Sequence, residues 1–334
     1  MRLARLTFAA LIAATLVSCQ AAPSVTPSAA PTKLTVGLGF VPSVQFAQFY
    51  LADQAGYYRD AGLEIEFQHN PDPELITLIG QGQVDIGMGD GTSVIPAVSQ
   101  EIPVRYVASI YARFPGVVFA PTANGIDEPA DLAGRKLGTP GRFGSSWVML
   151  QALLASADLS PDDLEIELYP DYGQRVALEQ GAVEAATGFA NNEPVQLELS
   201  GVDVTVLRVD EITPLPGPGL VTGTRTLTEK REALRAFVAG TLQAMEEIRA
   251  DPEKGLDAAI VRVPEFGQDR ATQLAILEAT IETWLSPYTE ANGLGAIDRE
   301  AWAESVDFMR SLPDSPVARD VPVGELVSEE LLPR

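Results

Sequence analysis

Residues 78–109, LIGQGQVDIGMGDGTSVIPAVSQEIPVRYVAS, and residues 177–209, ALEQGAVEAATGFANNEPVQLELSGVDVTVLRV, carry one pattern twice. In each, a helical pattern runs into Gly-x-Val-acid, then a short β-rich run, a polar loop, a helix and another β-rich run. Gly82-Gln83-Val84-Asp85 recurs 99 residues later as Gly181-Ala182-Val183-Glu184. A second matched pair stands upstream of each copy: KLTVGLGFVPSVQFAQFYLADQAG (33–56) and RKLGTPGRFGSSWVMLQALLASAD (135–158). Similarity at two places in the same order is the mark of a repeated unit. Short apolar runs alternating with helical periodicity make that unit α/β, with a mostly parallel sheet.

Working outward, residues 33–40 read as a buried strand. A helix follows from an N-cap at Ser43 to a stop at Gly56, with Phe46, Phe49 and Tyr50 on one face. Further strands are expected over 63–68, 84–90 and 104–111. Beyond residue 214 the chain turns through PGPGLVTGTR (216–225) and then shows long one-faced helical patterns. These predict packing helices, with Trp284 and Trp302 in the core.

The N-terminus reads differently. MRLARLTFAALIAATLVSC (1–19) has Arg2 and Arg5, an apolar run over 6–17, and the chain's single cysteine at Cys19. This predicts a signal peptide over 1–18, too short to span a bilayer comfortably. Leu16-Val17-Ser18-Cys19 resembles a bacterial lipobox, so Cys19 is the expected site of lipidation. The uncharged QAAPSVTPSAAPT (20–32) continues as a tether, giving a tether over 19–32. With one cysteine no internal disulfide can form. The predicted location is the extracytoplasmic face of the cell membrane, held by the lipid anchor.

The 334 residues carry a formal charge of −23 and 46% hydrophobic residues. That composition suits a folded body and opposes binding to nucleic acid or anionic lipid. No catalytic constellation is visible. His69 is the only histidine, lies in FQHNPDPE (67–74) with no nucleophile beside it, and is expected in a surface loop. One histidine and one lipid-bound cysteine leave no ordinary zinc site, and no cofactor is implied. GTPGRFGSSW (138–147) has the glycines of a phosphate loop but lacks the lysine after the last of them.

Four polar loops instead follow strand ends: GFVPSVQF (39–46), GDGTS (89–93), TPGRFGSSW (139–147) and GFANNEP (188–194). In open α/β sheets ligands bind at strand C-terminal ends, where helix N-termini offer donors. The repeat pairs the first loop with the third and the second with the fourth, so two facing domains bring all four to one cleft.

Residues 36–68, 78–109 and 127–154 resemble the nitrate/sulfonate/thiamine-pyrimidine group of ABC-transporter substrate-binding proteins. The resemblance covers roughly residues 33–245. It implies a type II periplasmic-binding fold: 33–115 with 215–334 as domain 1, and 116–214 as domain 2. Crossovers would lie near 114–118 and 214–221, where proline and glycine cluster. It further implies a monomer that closes on a small molecule and delivers it to a membrane permease and its ATPase. The yeast-type relatives are enzymes making the thiamine pyrimidine; the histidine and cysteine-rich segments they rely on are not found here.

The resemblance makes the four loops the ligand site, with Phe40, Pro42, Gln45, Asp90, Thr92, Arg142, Phe143, Ser145, Trp147, Tyr172, Phe189, Asn191, Asn192 and Glu193 as candidate contacts. Gly144 would allow close approach, Ser145 and Ser146 would cap the helix or donate, and Trp147 would form a wall or sit in the core. Arg142 is the only cation in the four loops, while Asp90 and Glu193 are acids. An unpaired carboxylate repels a sulfonate or nitrate and suits amines, ring N–H groups and hydroxyls. Aromatic residues in or beside the loops, Phe46 among them, could sandwich a flat ring. GFANNEP resembles the loop with which thiamine-pyrimidine binders read an aminopyrimidine edge, but Ala190 stands where that group has an aromatic. The extra room favours riboflavin as ligand, ahead of a thiamine pyrimidine precursor and then an alkanesulfonate.

Overall fold

Ten strands form two five-stranded sheets in the computed structural model, which describes residues 30–69, 72–312 and 315–333. The expected leader, Cys19 and tether residues 19–29 lie outside the described residues. The strands are β1 (Thr32–Gly37), β2 (Leu63–Gln68), β3 (Ile86–Gly89), β4 (Val104–Ser109), β5 (Gly116–Pro121), β6 (Lys136–Thr139), β7 (Glu165–Leu168), β8 (Ala185–Phe189), β9 (Val204–Arg208) and β10 (Gly219–Gly223). One sheet has the order β2-β1-β3-β10-β4 and the other β7-β6-β8-β5-β9. β1 runs parallel to β2 and β3, and β6 parallel to β7 and β8. β10 and β5 are the antiparallel strands of their sheets. Each sheet thus takes its antiparallel strand from beyond a crossover, and the same design appears twice.

The repeated Gly-x-Val-acid acquires a physical reason. Gly82 and Gly181 end their helices at φ +74° and +70°, a left-handed conformation that suits glycine. Val84 and Val183 are buried. The acids staple neighbouring strands: Thr35 N donates to Asp85 Oδ2 at 3.0 Å, and Lys136 N donates to Glu184 Oε2 at 3.1 Å. Each acid is also paired with a cation at 2.8 Å, Lys230 for Asp85 and Arg135 for Glu184. The motif is therefore a strand-joining device, made once per sheet.

Two local details differ from the sequence reading. The helix expected from Ser43 to Gly56 begins as a 3-10 turn, Val44–Phe46, before the α-helix Ala47–Gln54. Ser43 is the cap, its hydroxyl accepting from Gln45 N at 3.2 Å. His69 is not a free surface residue: it is half-buried, its Nδ1 lies 2.8 Å from the Phe40 carbonyl oxygen, and its ring is 5.9 Å from that of Phe46. The C-terminal helices pack as expected, and Trp284 and Trp302 are fully buried. No helix among the described residues is long and apolar enough to cross a membrane.

The crossovers are tightly held. A Cβ on Gly219 would stand 2.1 Å from the Tyr106 hydroxyl, so only glycine fits where β10 lies beside that ring. The same hydroxyl donates to Gly217 O at 3.1 Å, and Arg113 N donates to Thr283 O at 3.1 Å.

Candidate ligand cleft

The parallel strands β1, β3, β6 and β8 end at Gly37, Gly89, Thr139 and Phe189, and the loops that follow all contribute to one cavity between the sheets. The cavity has a volume of about 150 Å³ and is partly open to solvent. Helices Gly91–Ser99 and Gly144–Ala155 begin at its wall, because a loop that leaves a buried parallel strand returns over the sheet as a helix.

The walls are largely aromatic. Phe40, Phe46, Tyr111, Phe143, Tyr172 and Phe189 line the cavity. Phe40, from the first sheet's loops, meets Tyr172, from the second's, edge to face, with centroids 5.2 Å apart and planes at 89°. Edge-to-face pairs contribute about 0.5–1.5 kcal/mol beyond burial. Tyr172 adopts φ +61°, an uncommon conformation for a tyrosine, with its N–H donating to Tyr169 O at 2.9 Å.

The polar lining is rich in acceptors. Asp90 caps the Gly91–Ser99 helix: its Oδ1 accepts from Thr92 Oγ1 at 2.7 Å and from Ser93 N and Oγ at 3.0 Å each. Burial pushes the Asp90 carboxyl above the usual range, against the pull of those donors. Glu193 Oε2 accepts from Phe189 N at 2.9 Å, and burial raises this carboxyl too. Gln174 is buried, donates Nε2 to Thr187 O at 3.1 Å, and leaves Oε1 buried without a partner among the described residues. Among the described residues the lining includes no Lys, Arg or His.

Of the residues expected at the site, Phe40, Gln45, Asp90, Phe143, Ser145, Tyr172, Phe189, Asn192 and Glu193 line the cavity. The others stand elsewhere. Pro42 is exposed outside it, and Thr92 is buried behind Asp90, to which it donates. Arg142 points outward over the Trp147 ring, 5.3 Å from its centroid, so the one cation of the four loops is engaged away from the lining. Trp147 packs against the core.

Asn191 has a different place from that of an edge reader. It is buried behind the wall, and its Nδ2 donates to Gln45 Oε1 at 2.9 Å and Thr280 Oγ1 at 2.8 Å. Tyr111 and Gln174 are cavity residues that the sequence reading passed over. Tyr111 lies two residues beyond β4 and Gln174 opens the helix after β7, so position after a strand was the available signal.

Residues 43–255 match the protein-family model described as NMT1/THI5 like. The riboflavin-binding protein RibY of Chloroflexus aurantiacus is 31% identical over 327 residues, covering 93% of each chain. The formylaminopyrimidine-binding protein of Halalkalibacterium halodurans is 26% identical, covering 88% of this chain and 89% of its own. Among solved structures, the alkanesulfonate-binding protein SsuA of Xanthomonas axonopodis pv. citri, bound to MOPS, superposes with a TM-score of 0.65 at 19% identity, over 87% of this chain and 98% of its own. The fold is that of the periplasmic binding proteins.

Proposed function

The chain belongs to the NMT1/THI5-like family, and from that membership we propose that it is the substrate-binding lipoprotein of an ABC-type importer, with riboflavin as its ligand. In this reading residues 1–18 are removed, Cys19 is acylated, and residues 19–32 tether a monomer to the outer face of the cell membrane. The bodies 33–115 with 215–334 and 116–214 close on the ligand and present it to a permease and its ATPase.

The observation that carries the ligand assignment is a cavity walled by aromatic rings whose polar lining, among the described residues, holds carboxylates and an unpartnered amide oxygen but no cation. Such a lining suits a flat, uncharged, donor-rich molecule: rings stack on rings, while ring N–H and chain hydroxyl groups meet acceptors. The 31% identity to a riboflavin-binding protein over nearly the whole chain supports the same ligand. Sulfonate fits this lining poorly, because Arg142 is turned away and Asp90 fills the N-terminus of its own helix. Binding rather than catalysis is supported by His69, whose Nδ1 faces a backbone carbonyl and not a nucleophile.

A thiamine pyrimidine precursor is the second reading. Glu193, raised by burial, could accept from an exocyclic amine, and the formylaminopyrimidine-binding relative favours it. Titration of the purified chain with riboflavin, followed by flavin fluorescence, separates the two. Saturable quenching at submicromolar concentration supports riboflavin; no quenching together with calorimetric binding of an aminopyrimidine supports the second reading.

A further inference from the structure

We propose that the cleft discriminates between the free vitamin and its phosphate ester, and that Asp90 and Glu193 set this discrimination. The inference rests on the riboflavin reading above and adds which chemical form is taken up.

A phosphate monoester needs cations or free backbone donors. Among the described residues the lining supplies no cationic side chain. At the start of the Gly91–Ser99 helix, Gly91 N donates to Pro216 O at 3.0 Å, and Asp90 Oδ1 takes Ser93 N and two hydroxyls. The Phe189 N–H at the end of β8 is engaged by Glu193. Gln174 adds an unpartnered oxygen, again an acceptor.

One feature of the cavity favours an anion. The Gly144–Ala155 helix begins without a side-chain cap, and Gly144, Ser145 and Ser146 line the cavity. That N-terminus amounts to about half a positive charge. Two carboxylates outweigh it, and a phosphate monoester enclosed with them brings up to two more negative charges. A unit charge about 6 Å from another, at an effective dielectric near 20, changes binding by about 100-fold.

The test is calorimetric titration of the purified chain with riboflavin and with riboflavin 5′-phosphate. The ester should bind at least ~100-fold more weakly. Asp90→Asn and Glu193→Gln keep an oxygen acceptor while losing the charge, and each should narrow that gap several-fold. Phe143→Lys provides a gain-of-function check that leaves both acids in place. Phe143 is 57% exposed and lines the cavity, so an ammonium there should raise affinity for the ester about tenfold with little cost to folding. Equal binding of the two flavins by the native chain, or a gap unmoved in all three variants, overturns the proposal. If riboflavin itself does not bind, the riboflavin reading fails separately. The same comparison with 4-amino-5-hydroxymethyl-2-methylpyrimidine and its phosphate then decides the discrimination: a gap sustains it, and equal binding or no binding of either overturns it.

Discussion

Asn191 Nδ2 donates to Gln45 Oε1 at 2.9 Å, joining the loop after β8 in one sheet to the loop after β1 in the other. The same nitrogen donates to Thr280 Oγ1 at 2.8 Å on the Arg270–Thr283 helix. Two contacts from one buried amide thus hold the halves together beside the cavity, while Phe40 and Tyr172 meet across it. Asn191→Ala leaves buried polar groups unpaired, each costing about 1–3 kcal/mol. The variant should melt several degrees lower and bind ligand about tenfold more weakly. Small-angle scattering of the ligand-free variant should show a larger radius of gyration. An unchanged radius with unchanged affinity would mean that the contact does not hold the two halves together.

Gln174 offers the cavity its only unpartnered buried side-chain acceptor among the described lining residues. Gln174→Leu keeps similar bulk and removes that oxygen. Ligand affinity should fall about tenfold, the usual effect of leaving a ligand donor unpaired. The melting temperature should also fall by a few degrees, because the bond to Thr187 O is lost with the amide. A fall in melting temperature with intact affinity would make the side chain structural, through its bond to Thr187 O.

Gly82 and Gly181 stand at φ +74° and +70°, and an added Cβ at either would meet nothing within 4 Å. Substitution there costs backbone strain alone. Gly82→Ala and Gly181→Ala should each destabilise by about 1–2 kcal/mol, with ligand affinity per folded molecule unchanged. Denaturant titration of both variants checks the equivalence of the two positions.

The pH dependence of stability should reveal Glu193. Burial raises its carboxyl in the fold, so its contribution is fully present below the unfolded-state pKa and is lost as pH rises through the higher folded value. Glu193→Gln removes that loss and keeps an acceptor for the Phe189 N–H. Its melting temperature relative to the native chain should therefore improve between pH 4 and pH 7. A difference that stays flat over this range would show a Glu193 carboxyl with an ordinary pKa.

Much of the architecture was legible in the chain alone. The order of short β-rich runs and helical patterns, and the 99-residue echo of Gly82-Gln83-Val84-Asp85, determined two α/β units of one design. Periodicity and glycine placement are local properties, so they can be read without coordinates. The convergence of four post-strand loops followed from the rule that parallel strands present their C-terminal ends to one side. The direction of individual side chains was not legible. Arg142 and Asn191 belong to the same loops as Phe143 and Glu193, yet one is drawn outward to Trp147 and the other inward to Gln45 and Thr280. Gln45 and Thr280 lie 146 and 89 residues from Asn191, and only packing of the two sheets and the C-terminal helices brings them together. The sequence by itself determined which loops build the cleft; the tertiary structure decided which of their residues line it, because the partners that turn each side chain are distant in the chain.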